Sequence, residues 1–172
     1  MKVPTAAQLI EHLRLEPLTF EGGHFRQTYL AEESVAAEAL PARYGGPRRF
    51  GGAIYYLLTS EPDSFSALHR LQTDEMYHFY LGDPVEMLLL HPDKPGERTV
   101  LGPDVLGGQH VQFVVPRSVW QGSRLISGGS FALLGTTMAP GFDFADWKEG
   151  RRDALSREYP EHAELIRALT RH

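Results

Sequence analysis

The sequence contains no cysteine. This absence excludes disulfide bonds, thiolate metal centres and cysteine nucleophiles, and it fits a protein of a reducing compartment. Positive charge is also limited, with 17 Lys and Arg against 22 Asp and Glu, and a net charge of -5. Domains that bind nucleic acid generally present a basic face, so we expect no nucleic-acid partner.

Long apolar runs are missing as well. The first fifteen residues, MKVPTAAQLIEHLRL, lack the apolar core of a signal peptide or a membrane anchor. We therefore expect no membrane association and a cytoplasmic location. The 172 residues, 42% of them hydrophobic, suffice for one domain with a sizeable core. The sequence thus predicts a single domain over residues 1–172.

Helical patterns lie at the two ends of the chain. Thr5 and Gln8 have the spacing of a capping box, and apolar residues at helical spacing follow, which predicts a helix over residues 6–14. Near the other end, the pattern predicts a short helix over residues 151–158. A final helix is expected to begin at Pro160, because proline is favoured in the first turn.

Short β-prone runs fill most of the chain between these ends. Residues 24–30 alternate as a strand, residues 31–50 suggest an irregular excursion, and runs separated by Gly, Pro and Asp follow from Gly51. No alternation of strands with helices is visible. The pattern predicts a mainly β fold, an antiparallel sandwich or barrel of about ten strands, with its core at about residues 22–140 and a helical segment at about 145–170.

The stretch FSALHRLQTDEMYHFYLG, residues 65–82, carries the strongest chemical signal. Two strands joined by a tight polar turn at residues 72–74 would place His69 and Glu75 in one concave space, with Tyr77 on the face of Glu75. An imidazole and a carboxylate in an apolar interior suit a metal, acid–base or ligand site. The alternative is a hydrogen-bonded pair in the core, and Tyr77 is either a proton donor or a core aromatic.

Three further side chains are candidate ligand contacts. Alternation along its strand turns Gln121 inward, where its amide would orient a ligand or line the pocket. Phe113 is either a ligand platform or part of the core. Arg26 can hold a phosphate or carboxylate through paired hydrogen bonds, or it forms a surface ion pair.

These residues resemble a known family. His69, Glu75 and Gly82 match fixed positions of the first cupin motif, and residues 108–121 lie where the second motif falls. The segments EGGHFRQTY, HRLQTDEMYHFYLGDP and APGFDFADW are similar to the small RmlC-like cupins grouped as the Cupin 5 family, over about residues 6–170. The resemblance implies a double-stranded β-helix, or jelly roll, that pairs into a homodimer.

The resemblance also implies a metal centre, from which this sequence departs. The usual cupin site takes two histidines and a glutamate from the first motif and a histidine from the second. Leu71 and Gln121 occupy two of these four positions. His69, Glu75 and Gln121 would hold a divalent metal weakly or not at all, because transition-metal sites generally need three good donors.

We therefore expect the barrel to bind a small polar molecule such as a sugar or a sugar nucleotide. The leading hypothesis is a metal-free isomerase or epimerase in which His69 is the base, Tyr77 or Glu75 handles the second proton, and Gln121 and Arg26 orient the substrate. One alternative is a metal-dependent cupin enzyme that uses His69, Glu75 and Gln121. Another is a ligand-binding or interaction protein without catalysis.

Overall fold

A computed structural model of the chain describes residues 4–172. The helices are α1 (Ala6–Leu13), α2 (Arg152–Glu158) and α3 (Ala163–Ala168), and single 3-10 turns span Ala37–Ala39, Phe144–Asp146 and Pro160–His162. The strands are β1 (Glu16–Pro17), β2 (His24–Leu30), β3 (Ser34–Val35), β4 (Arg48–Arg49), β5 (Gly52–Thr59), β6 (Ser66–Arg70), β7 (Glu75–Gly82), β8 (Val85–Leu90), β9 (Glu97–Leu101), β10 (Gln112–Val115), β11 (Trp120–Leu125), β12 (Phe131–Met138) and β13 (Lys148–Glu149).

Two antiparallel sheets form the body of the protein. One has six strands in the order β1-β2-β5-β12-β7-β10, and the other has five in the order β13-β6-β11-β8-β9. Neighbours in the sheets are mostly distant in sequence, as in a jelly roll. The main core lies between the sheets and includes Tyr56, Met87 and Leu134. The predicted mainly β fold of antiparallel strands, with helices at both ends, is confirmed.

The N-terminal helix forms where the sequence predicts it. The Thr5 hydroxyl accepts the Gln8 amide, and the Gln8 side chain accepts the Thr5 amide, so both halves of the capping box are present. The helix ends at Arg14, whose φ of 52° is left-handed. Its apolar side chains pack with Leu57 and Leu133 on the outer face of the six-stranded sheet.

The C-terminal helices cover the outer face of the other sheet. The helix predicted over residues 151–158 is Arg152–Glu158, and Pro160 opens a 3-10 turn that leads into α3. Leu165, Ile166 and Leu169 pack on Leu68, Leu88 and Leu90 of the sheet. Over residues 4–172, none of the helices has the length and apolar character needed to cross a lipid bilayer.

The hairpin predicted around residues 72–74 is wrong. β6 pairs with β11 and β13, whereas β7 pairs with β10 and β12 in the opposite sheet. The connection crosses between the sheets, and other loops hold it: the Asp74 carboxylate accepts the Arg117 amide at 2.7 Å, and the Thr73 and Tyr44 hydroxyls lie 2.8 Å apart. His69 and Glu75 therefore approach each other from facing walls of the barrel.

Candidate functional site

An open cavity of about 110 Å³ lies between the two sheets. Most of its wall is apolar or aromatic, and the polar side chains at the wall are Glu21, Gln27, Tyr56, His69, Glu75, Tyr77 and Thr136. The three residues predicted to be catalytic, His69, Glu75 and Tyr77, thus share one cavity. Leu71, at the position of a missing metal histidine, also lines it.

His69 lies on β6 and is 1% exposed. Its Nδ1 donates to the Ala67 carbonyl at 2.8 Å, which fixes the ring and leaves only Nε2 for chemistry. Nε2 lies 3.9 Å from Glu75 Oε2 and also 3.9 Å from Glu21 Oε2. One imidazole therefore lies between two carboxylates that belong to different parts of the fold.

Glu75 begins β7 on the opposite wall. Its Oε2 accepts the Gln121 amide nitrogen at 2.8 Å and the Tyr77 hydroxyl at 3.3 Å. Gln121 thus acts as an orienting amide for the carboxylate, and it is not among the residues that line the cavity. Its other amide atom, Oε1, is buried without a hydrogen-bond partner in residues 4–172.

Glu21 is the functional residue that sequence reasoning missed. The segment Glu21–Gly22–Gly23 reads as a simple turn, but it brings the Glu21 carboxylate to His69. Gly22 has a φ of 115°, and a Cβ there would lie 2.1 Å from the Phe65 carbonyl, so only glycine allows this close approach to β6. Ser66 then donates to Glu21 Oε1 at 2.7 Å. In the sequence, the signal that could have identified Glu21 was the pair of glycines directly after this acidic residue.

Burial and neighbouring charges shift the pKa values of His69, Glu21 and Tyr77. Burial lowers the pKa of His69, but the charges of Glu21 and Glu75 outweigh burial and raise this pKa to about 9. Burial raises the pKa of Glu21, with the Glu75 charge adding to the rise and the His69 and Ser66 contacts opposing it. Burial and the nearby carboxylates raise the pKa of Tyr77 well above its ordinary value.

These pKa shifts reverse one role predicted from the sequence. With a pKa of about 9, His69 is an imidazolium at neutral pH, so it donates a proton rather than abstracting one. Glu21, with its raised pKa, is the better-placed base because a catalytic base works best when its pKa lies near the working pH. Tyr77 stays a neutral phenol that can only donate to Glu75.

The segment after the last barrel strand closes one side of the cavity. Trp147 lines the cavity and stacks on His69, with ring centroids 6.4 Å apart and planes 21° apart. Phe20 meets the Trp147 ring edge-on at 5.3 Å. Trp147 therefore forms part of the site.

A buried ion pair holds this segment in place. Arg48 donates to both oxygens of Asp146 at 2.7 and 2.6 Å, and the two residues are 5% and 4% exposed. Asp143 is the capping residue, since it accepts the Ala145 amide at 2.8 Å. The pair links the excursion at residues 31–50 to the residue beside Trp147.

Two predicted ligand contacts lie away from the cavity. On β2 the alternate residues Phe25 and Gln27 line it, which directs Arg26 to the other face, where its guanidinium lies 5.7 Å from the centre of the Tyr55 ring. Phe113 packs against the main core and beside His110, with ring centroids 5.2 Å apart. Neither residue is among those lining the cavity, so we do not retain them as ligand contacts.

The donor atoms do not fit the metal centre that the cupin resemblance implies. His69 offers one nitrogen, which its raised pKa keeps protonated, and Gln121 turns its amide nitrogen rather than its oxygen toward Glu75. Across residues 4–172, no three His, Cys, Asp or Glu side chains are arranged to hold a metal ion. A metal bound by His69, Glu75 and Gln121 stays a prediction, and we assign no chemical step to it.

Comparison with known proteins agrees with the fold. The family model Cupin_5, described as Cupin superfamily (DUF985), matches residues 7–149. An uncharacterized protein of Saccharomyces cerevisiae is 30% identical over 148 residues, which cover 81% of this chain and 69% of the yeast protein.

Solved structures of other proteins also share the fold of this chain. A protein of Shewanella oneidensis is 31% identical, with a TM-score of 0.84, over 98% of this chain and 99% of its own. A hypothetical protein from Leishmania major is 27% identical, with a TM-score of 0.85, over 98% of this chain and 100% of its own. A dTDP sugar isomerase from Desulfovibrio desulfuricans, at 17% identity and a TM-score of 0.50 over 76% of this chain and 86% of its own, shares the fold alone.

Proposed function

This chain belongs to the Cupin_5 family, and we propose that its barrel binds a small polar molecule and moves protons on it without a metal. The reaction class is isomerisation or epimerisation at a carbon next to a carbonyl group. One observation carries the proposal: the Nε2 of His69 lies 3.9 Å from each of two carboxylates at the wall of an open cavity.

The proposed base is Glu21. It removes a proton from the carbon beside the carbonyl, so the C–H bond breaks and its electron pair forms an enolate. The His69 N–H, on the same side of the cavity, donates to the oxygen that gains charge. For an isomer, Glu21 returns the proton to the former carbonyl carbon, and the former carbonyl oxygen takes the proton of His69. The hydroxyl on the neighbouring carbon gives its own proton back to His69, so the new carbonyl forms there. For an epimer, a water at the open mouth gives a proton to the opposite face of the same carbon, the carbonyl re-forms, and the resulting hydroxide takes the proton held by Glu21. Neither route consumes a co-reactant.

The other two groups support this charge arrangement. Glu75 keeps His69 protonated, because its carboxylate favours the cationic form. Gln121 and Tyr77 donate to Glu75 and so hold its carboxylate in place. A hydroxylated molecule suits the cavity because the polar groups lie among apolar and aromatic walls, as in many small-molecule sites. A sugar, or the sugar part of a sugar nucleotide, has this character.

Deuterium exchange tests the proton transfer directly. Neutral aldoses and ketoses are incubated with the protein in D₂O, and NMR measures loss of the proton at the carbon beside the carbonyl. We expect exchange with the wild type, loss of exchange in Glu21→Gln, and wild-type exchange in the exposed control Glu16→Gln. Equal exchange in Glu21→Gln and wild type would remove Glu21 from the mechanism.

The alternatives give different results in the same experiment. A sugar that binds without exchanging its protons favours a ligand-binding protein without catalysis. A metal-dependent enzyme requires metal, so metal analysis of protein purified without a histidine tag is the companion measurement. Less than about a tenth of an equivalent of bound metal would count against a metal-dependent enzyme, since tight metal sites stay occupied.

The homodimer and the cytoplasmic location also stay predictions.

A further inference from the structure

The charges around the cavity limit what it can bind. Of the residues that the structure places in the lining, none is a lysine or an arginine. The lining does include Glu21 and Glu75, and its one cation, His69, already lies 3.9 Å from an oxygen of each. A phosphate or carboxylate inside the cavity would meet two acidic side chains and no free cation, and burial of an unpaired charge is strongly unfavourable.

The arginines near the cavity are committed to other contacts. Arg48 donates to both oxygens of Asp146. Arg26 lies on the far face of β2, over Tyr55. Arg171 lies behind the Glu21 loop, where it donates to the carbonyls of Glu21 and Asp63 and lies over the Phe65 ring. None of the three presents its guanidinium to the cavity lining.

Trp147 supplies an independent sign of a ligand. Its Nε1 is buried and has no hydrogen-bond partner within residues 4–172, although the ring lines the cavity. Buried indole N–H groups normally find an acceptor. The ring cannot easily turn to find one, because His69 stacks on it and the neighbouring Asp146 is fixed by Arg48. A hydrogen-bond acceptor on a bound molecule would satisfy the Trp147 N–H.

The size of the cavity sets the scale of this molecule. A water needs about 10–15 Å³ of such space, so a cavity of about 110 Å³ has room for roughly seven to eleven non-hydrogen atoms. One hydroxylated five- or six-membered ring is of this size, with its substituents reaching into the open mouth. The exposed side chains Phe142 and Phe144, with ring centroids 5.1 Å apart, stand next to Phe20 and Trp147 in this region.

We infer that the cavity takes an uncharged, hydroxyl-bearing ring, that the Trp147 N–H donates a hydrogen bond to one of its oxygens, and that anionic groups of a ligand stay outside. This inference rests on the proposed function, because it names the substrate class of the same site. It adds charge discrimination and a ligand-binding residue that the proton-transfer mechanism does not need. A phosphate attached directly to the ring cannot stay outside when the ring enters, so a sugar 1-phosphate would bind weakly.

Calorimetric titration with matched ligands tests the inference. The probes are pentoses and hexoses, each compared with its 1-phosphate. We expect a neutral sugar to bind at least tenfold more tightly than its phosphate, and Trp147→Phe, which removes the N–H but keeps an aromatic ring, to weaken the neutral sugar at least fivefold. Trp120→Phe is the matched control and should bind as the wild type does, because Trp120 packs outside the barrel against Arg70 and the C-terminal helices.

The outcomes separate this inference from the proposed function. Equal or tighter binding of the phosphates, or unchanged affinity in a folded Trp147→Phe protein, would overturn the inference. A neutral sugar that binds through Trp147 but shows no deuterium exchange would support it and remove the catalytic proposal. Sugar phosphates that bind and also exchange their protons would support the catalytic proposal and overturn the inference. If no sugar and no sugar phosphate binds, the inference and the proposed function are both overturned.

Discussion

The two faces of the five-stranded sheet are equally buried but chemically different. On the outer face, Leu68, Leu88 and Leu90 are 0% exposed and pack against hydrocarbon of the C-terminal helices. On the inner face, the residues of β6 and β11 are polar although they are just as inaccessible: Ser66 is 1%, His69 1%, Gln121 2% and Ser123 0% exposed. Burial therefore does not explain why the outer face is apolar while the inner face is polar on β6 and β11 and apolar on β8, at Met87 and Leu89.

This difference separates stability from function. Hydrocarbon packed on hydrocarbon stabilises the fold, whereas buried polar groups are costly unless they are hydrogen-bonded. The inner wall satisfies most of its polar atoms but leaves Gln121 Oε1 and Ser123 Oγ without partners in the described chain. A polar wall beside an open cavity is expected where a ligand or water completes the contacts. The following predictions test how far this division holds.

The largest effect is expected where a buried charge on the cavity side loses its partner. Asp146→Ala leaves Arg48 buried and unpaired, so we expect it to lower the free energy of unfolding by about 3–5 kcal/mol in urea denaturation. Asp143→Ala is the matched control in the same 3-10 turn and should cost about 1 kcal/mol, the value of a lost cap. Equal effects of the two variants would show that the Arg48–Asp146 pair does not hold this segment.

The next effect should occur on the hydrocarbon side. Ile166→Ala removes a side chain that is 0% exposed from the outer cluster and should destabilise by about 2–5 kcal/mol, whereas Ile166→Val should cost about 0.5–1.5 kcal/mol. The pKa of His69, followed by NMR, should stay the same in both variants. A changed His69 pKa in either variant would show that the outer face influences the cavity. It would contradict the separation of stability on the outer face from function on the inner face.

The inner face should make stability depend on pH. The folded pKa of His69, about 9, is raised above the 6.5 of an isolated histidine, so the folded protein binds this proton more tightly. The resulting stabilisation is complete below about pH 6.5 and is lost as the pH rises through about 9, on the order of 3 kcal/mol in total. Denaturation from pH 6 to 10 should show the decline in the wild type and a flatter curve in His69→Gln.

The smallest effects should separate two serines that face each other on adjacent strands. Ser66 donates to the Glu21 carboxylate at 2.7 Å, so Ser66→Ala should cost about 1.5–3 kcal/mol. Ser123 lies opposite Ser66 in the β6–β11 register, and its buried hydroxyl has no hydrogen-bond partner within residues 4–172. Ser123→Ala should therefore change stability by less than about 1 kcal/mol. A large loss in Ser123→Ala would point to an ordered water bound by its hydroxyl.

Local patterns in the sequence predicted the fold and half of the site. Alternation along strands placed His69, Glu75 and Tyr77 toward one interior, and the capping box located α1. Alternation failed at β6, where the four residues from Ser66 to His69 oppose the three residues of β11 from Gln121 to Ser123. This bulge turns both Ser66 and His69 inward, which a strict period of two does not allow.

The missed parts of the site depend on contacts between distant segments. Glu21 reaches His69 only because Gly22 and Gly23 let a loop approach β6, and Arg48 meets Asp146 across 98 positions of the chain. Arg26 was a candidate because its guanidinium can hold a phosphate or carboxylate, but the sequence did not indicate which face of its strand is the inner one. Side-chain chemistry alone selected some of these residues and missed others. Their actual roles depend on how the two sheets and the loops pack together.

The most direct test of this account is the pKa of the His69 imidazole, measured by NMR titration of the ring nitrogens in the folded protein. The account predicts a pKa of about 9, which falls in both Glu21→Gln and Glu75→Gln because each variant removes one of the two flanking charges. A pKa at or below the ordinary value for histidine, unchanged in both variants, would contradict the claim that one imidazolium is held between two carboxylates in the barrel.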